Sequence, residues 1–166
     1  MQTYETLTHT FAPVFDGTSR VLILGTFPSV KSRENQFYYG HPQNRFWKVL
    51  ASIMQRPVPG NIEEKKFFLL ESHIAIWDVI ARCEIAGSSD SSIRNVTAND
   101  LGVILDHAPI GGIFANGAKA CELYRKYCEP NTGRAIVRLP STSPANAAWT
   151  MEKLVQEWSG QLFEFL

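Results

Sequence analysis

Four short apolar runs are spread along the chain, and each predicts a buried β-strand. Their residues are apolar with almost no polar interruption, which is typical of parallel strands that are covered on both faces. We therefore expect a central parallel sheet built from these runs. The runs are Val21–Gly25, Ile74–Trp77, Gly112–Ala115 and Ala135–Leu139.

Helical patterns fall between the strands. After Pro42, the apolar residues Phe46, Leu50 and Ile53 recur at helical spacing, and Pro57 is expected to end that helix. Further helices are indicated by capping residues ahead of apolar positions, and the last of them is expected to end near Gly160. These caps are Asn61 with Glu64, Thr97 with Asp100, Asn116, and Ser143 followed by Pro144.

The alternation of strands and helices predicts the fold class. It favours an α/β fold, a three-layer sandwich with a central four-stranded parallel sheet flanked by helices. The length of 166 residues suits one domain over residues 1–166, and no linker or repeat interrupts it. In such folds the ligand crevice lies beyond the carboxyl ends of the strands, so the segments that follow each strand are the candidate functional segments.

Charge excludes some classes of protein and leaves others open. Sixteen Lys and Arg balance sixteen Asp and Glu, so the chain is not a histone-like basic protein. Residues 29–48 nevertheless hold Lys31, Arg33, Arg45 and Lys48 against a single acidic residue. A basic face of this kind fits modest binding to a phosphate backbone.

Cysteine usage and the lack of long apolar runs indicate a soluble, cytoplasmic protein. Cys83, Cys121 and Cys128 form an odd set without paired spacing, which argues against disulfides and fits a reducing compartment. We expect all three to be small core residues. No apolar run reaches the ~20 residues of a membrane span, and residues 1–10 do not have the pattern of a signal peptide.

The segment GTFPS, residues 25–29, leaves the first strand through a glycine. Glycine allows a tight exit, and the free backbone N–H groups that follow can face a ligand. The segment lacks the lysine of a Walker loop and the glycine spacing of a dinucleotide fingerprint. A ligand-facing turn and a purely structural turn both remain open.

Residues 36–48, QFYYGHPQNRFWK, are the densest candidate segment. Tyr38 and Tyr39 stand beside a glycine in the crevice region, and aromatic faces there suit stacking on a nucleobase. His41 is expected to be a hydrogen-bonding residue of the loop rather than a catalytic base. Phe46 and Trp47 fall on an apolar helical stripe and are expected in the core.

Polar residues also follow the other strands. In LPSTSPAN, residues 139–146, hydroxyls at an expected helix N-terminus suit a phosphate group, although simple capping by Ser143 is also expected. Asn116–Gly117 with Lys119 offers a second such site. Residues 77–92, which follow the strand Ile74–Trp77, are interpreted as a loop rich in serine and glycine. Asp78 or Asp90 in it could orient a water or a base edge, although Asp90 could equally cap a turn.

Taken in order, these segments resemble the blocks of the uracil-DNA glycosylase superfamily. The order of the blocks and the GT-x-PS form of the first block are most similar to the hypoxanthine-DNA glycosylase branch, which removes deaminated adenine from DNA. The resemblance implies a monomer that holds a flipped base in its crevice and hydrolyses the N-glycosidic bond without a metal or other cofactor. The blocks are GTFPS, FYYGHPQNRFWK, WDV with GSSDSSI, NG at 116–117 and LPSTSPAN, and they span residues 20–160.

The resemblance also implies roles for individual residues. Asn44 matches the residue that the hypoxanthine branch uses for catalysis, and Tyr39 matches the residue that stacks on the base. The loop 141–145 matches the loop that enters the minor groove of DNA. We expect Gly25, Thr26, Phe27, Tyr39, Asp78 and Asn116 to line the base pocket, and Ser29, Lys31, Lys119, Ser141, Thr142, Ser143 and Asn146 to contact DNA.

The chain departs from the family pattern in its first block. Many relatives carry Asn or Asp there to place the attacking water, whereas this chain has Thr26 and Phe27. This difference argues for hypoxanthine over uracil as the substrate. Two alternatives remain open: a uracil or mismatch-specific glycosylase on the same fold, and a non-catalytic module that binds nucleic acid or nucleotides.

Overall fold

The four apolar runs form one parallel sheet, as the sequence predicts. The computed structural model describes residues 3–87 and 90–166. Its central sheet consists of β2 (Val21–Gly25), β3 (Ile74–Asp78), β6 (Gly112–Asn116) and β7 (Val137–Leu139). The strand order is β3-β2-β6-β7, and every neighbouring pair is parallel.

Helices flank this sheet. They are α1 (Val30–Asn35), α2 (Phe46–Met54), α3 (Ile62–Glu71), α4 (Gly102–Leu105), α5 (Ala118–Tyr127), α6 (Glu129–Thr132) and α7 (Met151–Leu162). The helix α3 packs on β3, α5 packs on β6 and β7, and α2 packs on α7. The three cysteines are buried and free, as predicted.

A second sheet lies beside the first and was not predicted from the sequence. It is antiparallel, has the strand order β1-β4-β5, and consists of β1 (Glu5–Thr8), β4 (Ile80–Ile85) and β5 (Arg94–Ala98). The interpretation of residues 77–92 as one long loop is therefore wrong, because β4 occupies much of it. The polar and largely exposed faces of β1 and β5 give little apolar signal.

The structure changes the helix cap predicted at Thr97 and confirms the one predicted at Asn61. Thr97 belongs to β5 and caps nothing, while α4 is a single turn in which Asp100 accepts a hydrogen bond from the Gly102 amide. The prediction at Asn61 is confirmed, since its side chain accepts from the Glu64 amide at 2.8 Å.

The last helix begins later than predicted. Thr150, not Ser143, caps α7, and its side chain accepts from the Lys153 amide. Residues 140–150 consequently form a loop with no helix behind Ser143, which removes the helix dipole that was expected to hold a phosphate there.

Among residues 3–87 and 90–166, no helix is long and apolar enough to cross a membrane.

Candidate active site

A cavity of about 450 Å³ opens where the parallel strands end. Gly25, Asp78 and Asn116 are the last residues of β2, β3 and β6, so the sheet itself brings them to one edge. The structure places all six residues expected in the base pocket on its wall, together with Asn44. A cavity of this size suits a small ligand such as a nucleobase.

The side chain of Asn44 is held firmly in the cavity wall. Its Oδ1 accepts a hydrogen bond from the Phe46 amide at 3.0 Å and another from Thr142 Oγ1 at 2.8 Å. Because a backbone amide can only donate, the atom that it meets must be the oxygen of the side-chain amide. Asn44 therefore has a defined orientation, and its Nδ2 has no hydrogen-bond partner among the described residues.

Asn116 fixes the direction of this network. The Thr142 amide donates to Asn116 Oδ1 at 3.0 Å, and Asn116 Nδ2 donates to Thr142 Oγ1 at 3.0 Å. Since Thr142 Oγ1 accepts from Asn116, its own proton is free to point at Asn44. The expected role of Asn116 as a helix cap is wrong, because α5 has Gly117 at its N-cap and no side-chain cap.

Thr142 is a correction to the expected DNA contacts. Its side chain is completely buried, and its hydroxyl is engaged with both Asn116 and Asn44. A hydroxyl in this position cannot reach a phosphate. The side chain instead links the loop after β7 to Asn44.

Tyr38 and Tyr39 differ in how much of each ring is open to a ligand. The Tyr38 ring is buried and its hydroxyl donates to the Ala12 carbonyl, so it is not free to stack on a base. Tyr39 adopts a left-handed backbone conformation with a φ of 52°. Its ring stacks on Phe46 with centroids 3.9 Å apart, which leaves only the opposite face for a ligand.

Asp78 pairs with a histidine that the sequence analysis missed. Asp78 Oδ2 lies 2.9 Å from His9 Nε2, and the two side chains are 5% and 3% exposed. His9 follows β1, and its amide donates to the Ala81 carbonyl in β4. The second sheet therefore carries His9 to the cavity, and a lone histidine near the N-terminus gave no sequence signal of this contact.

Gly25 allows the chain to pass close to that carboxylate. A Cβ atom at position 25 would lie 2.5 Å from Asp78 Oδ1 and 3.0 Å from the Tyr39 hydroxyl. No real Cβ tolerates the first distance, so a side chain here would displace Asp78. The glycine of the GTFPS segment thus shapes the cavity floor.

Arg45 ties the two site loops together. Its guanidinium donates to the carbonyls of Ser143, Asn146 and Trp149, and its amide donates to the Thr142 carbonyl. A guanidinium suits such a cluster because its donors form a rigid planar fork. Arg45 directly follows Asn44, so the loop 142–149 and Asn44 share one support.

The polar residues of the loop after β7 bond mainly within the loop. Ser141 Oγ accepts from the Ser143 amide, and Ser143 Oγ accepts from the Ala145 amide. Asn146 Nδ2 donates to the Ser141 carbonyl. Ser141 and Ser143 line the cavity and keep their hydroxyl protons available, whereas Asn146 braces the loop from outside the cavity wall.

Of the three remaining residues expected to contact DNA, one lines the cavity and two do not. Ser29 caps α1 and lines the cavity mouth. Lys31 and Lys119 lie outside the cavity wall, near Glu34 and Glu122 respectively. The side chain of Asp90 lies outside the described part of the structure.

Arg33 and His41 also line the cavity. Arg33 lies over the Phe27 ring at 6.0 Å, and its buried Nε has no hydrogen-bond partner in the described part of the chain. His41 Nδ1 accepts from the Gln43 amide at 3.1 Å, which is the loop role expected for it. Arg33 was recognised in the sequence only as part of a basic cluster.

Comparison with known proteins gives one consistent family. The model of the uracil DNA glycosylase superfamily matches residues 12–162. The chain is 33% identical over 153 residues to a hypoxanthine DNA glycosylase of Methanosarcina acetivorans, covering 89% of this chain and 93% of that protein. It is also 33% identical over 114 residues to a hypoxanthine DNA glycosylase of Methanosarcina barkeri, covering 68% and 72% of the two chains.

A solved structure agrees with the sequence matches. The solution NMR structure of a Methanosarcina acetivorans protein, provisionally described as a uracil DNA glycosylase, superposes with a TM-score of 0.79 at 31% identity. The match covers 93% of this chain and 96% of that one. On the family match, the two relatives and the shared fold, this chain belongs to the uracil DNA glycosylase superfamily.

Proposed function

We propose that this protein is a monofunctional DNA glycosylase. It flips a deaminated base out of DNA, with hypoxanthine as the principal substrate, and hydrolyses its N-glycosidic bond, leaving an abasic site. The enzyme cannot reach a base inside a duplex, so the base must be extruded into the cavity. Breaking its stacking and pairing costs a few kcal/mol, and less for a weakly paired base. The two relatives that are named hypoxanthine DNA glycosylases support this choice of base.

The observation that carries the proposal is the held amide of Asn44. Both hydrogen bonds to its Oδ1 come from the protein, which leaves Nδ2 as the group that faces a ligand. Glycosidic cleavage passes through an oxocarbenium-like state while negative charge develops on the departing base. A preorganised N–H donor stabilises that charge.

The same hydrogen bonds favour one of two possible roles for Asn44. An amide can accept from water through its oxygen or donate to the base through its nitrogen. Here Thr142 and the Phe46 amide already occupy the two acceptor positions of Oδ1. Asn44 therefore acts on the leaving base rather than on the attacking water.

The loop that follows β7 supports DNA on the same side. Ser141 and Ser143 line the cavity with free hydroxyl protons, and the Arg33 guanidinium lies at the same wall. Hydroxyl and guanidinium donors are the groups that bind phosphate oxygens. The DNA backbone is therefore expected to cross the cavity mouth. Arg45 holds the loop 142–149 in place through its hydrogen bonds to the loop carbonyls.

A duplex that contains one deoxyinosine tests the proposal. The protein in EDTA is expected to release free hypoxanthine, and the strand breaks only after alkali treatment. A matched duplex with deoxyuridine tests the uracil alternative, and a duplex without damage is the control. Binding of both damaged duplexes without release of either base would favour the non-catalytic module.

A further inference from the structure

The cavity floor holds an acceptor and a donor that the protein leaves unused. Asp78 Oδ2 accepts from His9 Nε2, so Oδ1 is the carboxylate oxygen that remains available. The Tyr39 hydroxyl is buried and has no hydrogen-bond partner among the described residues, although the Asn116 amide lies near it. Both groups flank Gly25, at 2.5 and 3.0 Å from the position that its Cβ would take.

A flipped base presents one particular edge to this floor. Its sugar stays on the DNA backbone at the cavity mouth, so the edge farthest from the sugar enters first. In hypoxanthine that edge carries N1–H beside the C6 carbonyl, a donor next to an acceptor. In adenine the pattern is reversed, because N1 is a bare acceptor and C6 carries an amino group.

We propose that Asp78 and Tyr39 recognise the oxo form that deamination creates. Asp78 Oδ1 accepts the N1–H of the base, and the Tyr39 hydroxyl donates to the C6 carbonyl oxygen. Adenine would present the lone pair of its N1 to the Asp78 carboxylate, so this contact would fail and leave two acceptors facing each other. The Tyr39 hydroxyl could still accept from the adenine amino group, so Asp78 carries most of the discrimination. This inference rests on the proposed function and names the specificity determinants within the same cavity.

Tyr39 is suited to donate throughout the neutral range. Burial and the nearby Asp78 carboxylate raise the pKa of the Tyr39 phenol well above its usual value. The phenol therefore stays protonated, as a donor to a carbonyl must. An unpartnered buried hydroxyl also costs stability, which gives a reason for a ligand to supply its partner.

His9 acts as a positioning residue for this pair. A carboxylate only accepts, so His9 Nε2 donates to Asp78 Oδ2 and fixes the rotation of the carboxylate. Guanine shares N1–H and the C6 carbonyl with hypoxanthine. Its 2-amino group would approach Asp78 Oδ2, where it would compete with the hydrogen bond from His9 Nε2.

The test compares two base analogues in single-turnover assays. One duplex contains deoxyinosine, and the other contains deoxynebularine, whose purine base lacks both N1–H and the carbonyl. Tyr39→Phe is expected to slow hypoxanthine release about tenfold, and Asp78→Ala, which removes the acceptor for N1–H, is expected to slow it about 10- to 100-fold. Each loss is expected to be clearly larger on deoxyinosine than on deoxynebularine. Tyr39→Phe is expected to melt at or above the wild-type temperature, since it removes an unpartnered hydroxyl.

Further variants separate positioning from folding. His9→Gln keeps a donor near the place of Nε2 and is expected to retain the preference for deoxyinosine, whereas His9→Leu loses it. Equal losses on both duplexes, or an unchanged preference in Tyr39→Phe, would overturn the recognition proposal. Failure of the wild type to release hypoxanthine would instead overturn the proposed function itself.

Discussion

Thr142 Oγ1 donates a 2.8 Å hydrogen bond to Asn44 Oδ1, joining residues that are 98 positions apart in the chain. Thr142 lies in the loop after β7, and Asn44 lies just before α2. The bond makes the orientation of the Asn44 amide depend on the loop that is proposed to contact DNA. Correct seating of that loop and the placement of the Asn44 N–H are therefore coupled.

Removal of the Asn44 N–H tests its role directly. Asn44→Asp keeps an acceptor for Thr142 and the Phe46 amide but lacks the N–H and adds a negative charge beside the leaving base. We expect single-turnover hypoxanthine release to fall by about 10²–10³-fold with little change in melting temperature. A near wild-type rate would show that the Asn44 N–H is not needed for the reaction.

Asn44→Ala separates catalysis from capping. It removes the acceptor for the Phe46 amide as well, so a stability loss of about 1 kcal/mol is expected beside the loss of rate. Rate and unfolding measured on one preparation give both numbers. A stability loss without a loss of rate would reduce Asn44 to a structural cap.

Replacement of Thr142 tests the coupling. Thr142→Val keeps the shape but leaves Asn44 and Asn116 each short of one partner, so release is expected to fall roughly 10- to 100-fold through misplacement of Asn44. Thr142→Ser keeps the hydroxyl and serves as the matched control. Because Thr142 is buried, the salt dependence of DNA binding should not change in Thr142→Val.

Arg45 is expected to contribute strongly to stability. Arg45→Met removes three charge-assisted hydrogen bonds to loop carbonyls, and the free energy of unfolding should fall by about 2–4 kcal/mol. The control is Lys48→Met, an exposed change in the same helix region. Hydrogen exchange should show faster exchange in residues 142–149 of Arg45→Met only.

Arg33 is expected to contribute to the electrostatic part of DNA binding. Arg33→Gln should reduce the slope of log affinity against log salt by about 0.9, because one phosphate contact is lost. Arg125→Gln, on the exposed side of α5 away from the cavity wall, should leave the slope unchanged. Equal slopes for wild type and Arg33→Gln would remove Arg33 from the DNA surface.

The parallel sheet was predictable because most residues of β2, β3 and β6 are buried. In β2 and β3 every residue is buried, so the apolar runs mark the strands almost residue by residue. The second sheet was missed for the opposite reason. Its strands β1 and β5 are mostly exposed, and their polar residues resemble loop sequence.

The part of the site that follows the buried strands was predictable from the sequence. Gly25, Asp78 and Asn116 follow apolar strands, so the fold rule for parallel sheets places them together. His9 and Arg45 act through contacts across 69 and about 100 positions, which no local pattern encodes. The helix cap expected at Ser143 failed because Arg45 holds residues 143–149 in an irregular loop instead.

The central claim is most directly tested by the rates of base release from two matched duplexes. Wild-type protein in EDTA is incubated in excess with duplexes that differ only in deoxyinosine or deoxyuridine, and free base and alkali-labile sites are measured over time. The account predicts release of hypoxanthine that is much faster than release of uracil and strongly reduced in Asn44→Asp. Clear release of uracil with none of hypoxanthine would contradict it.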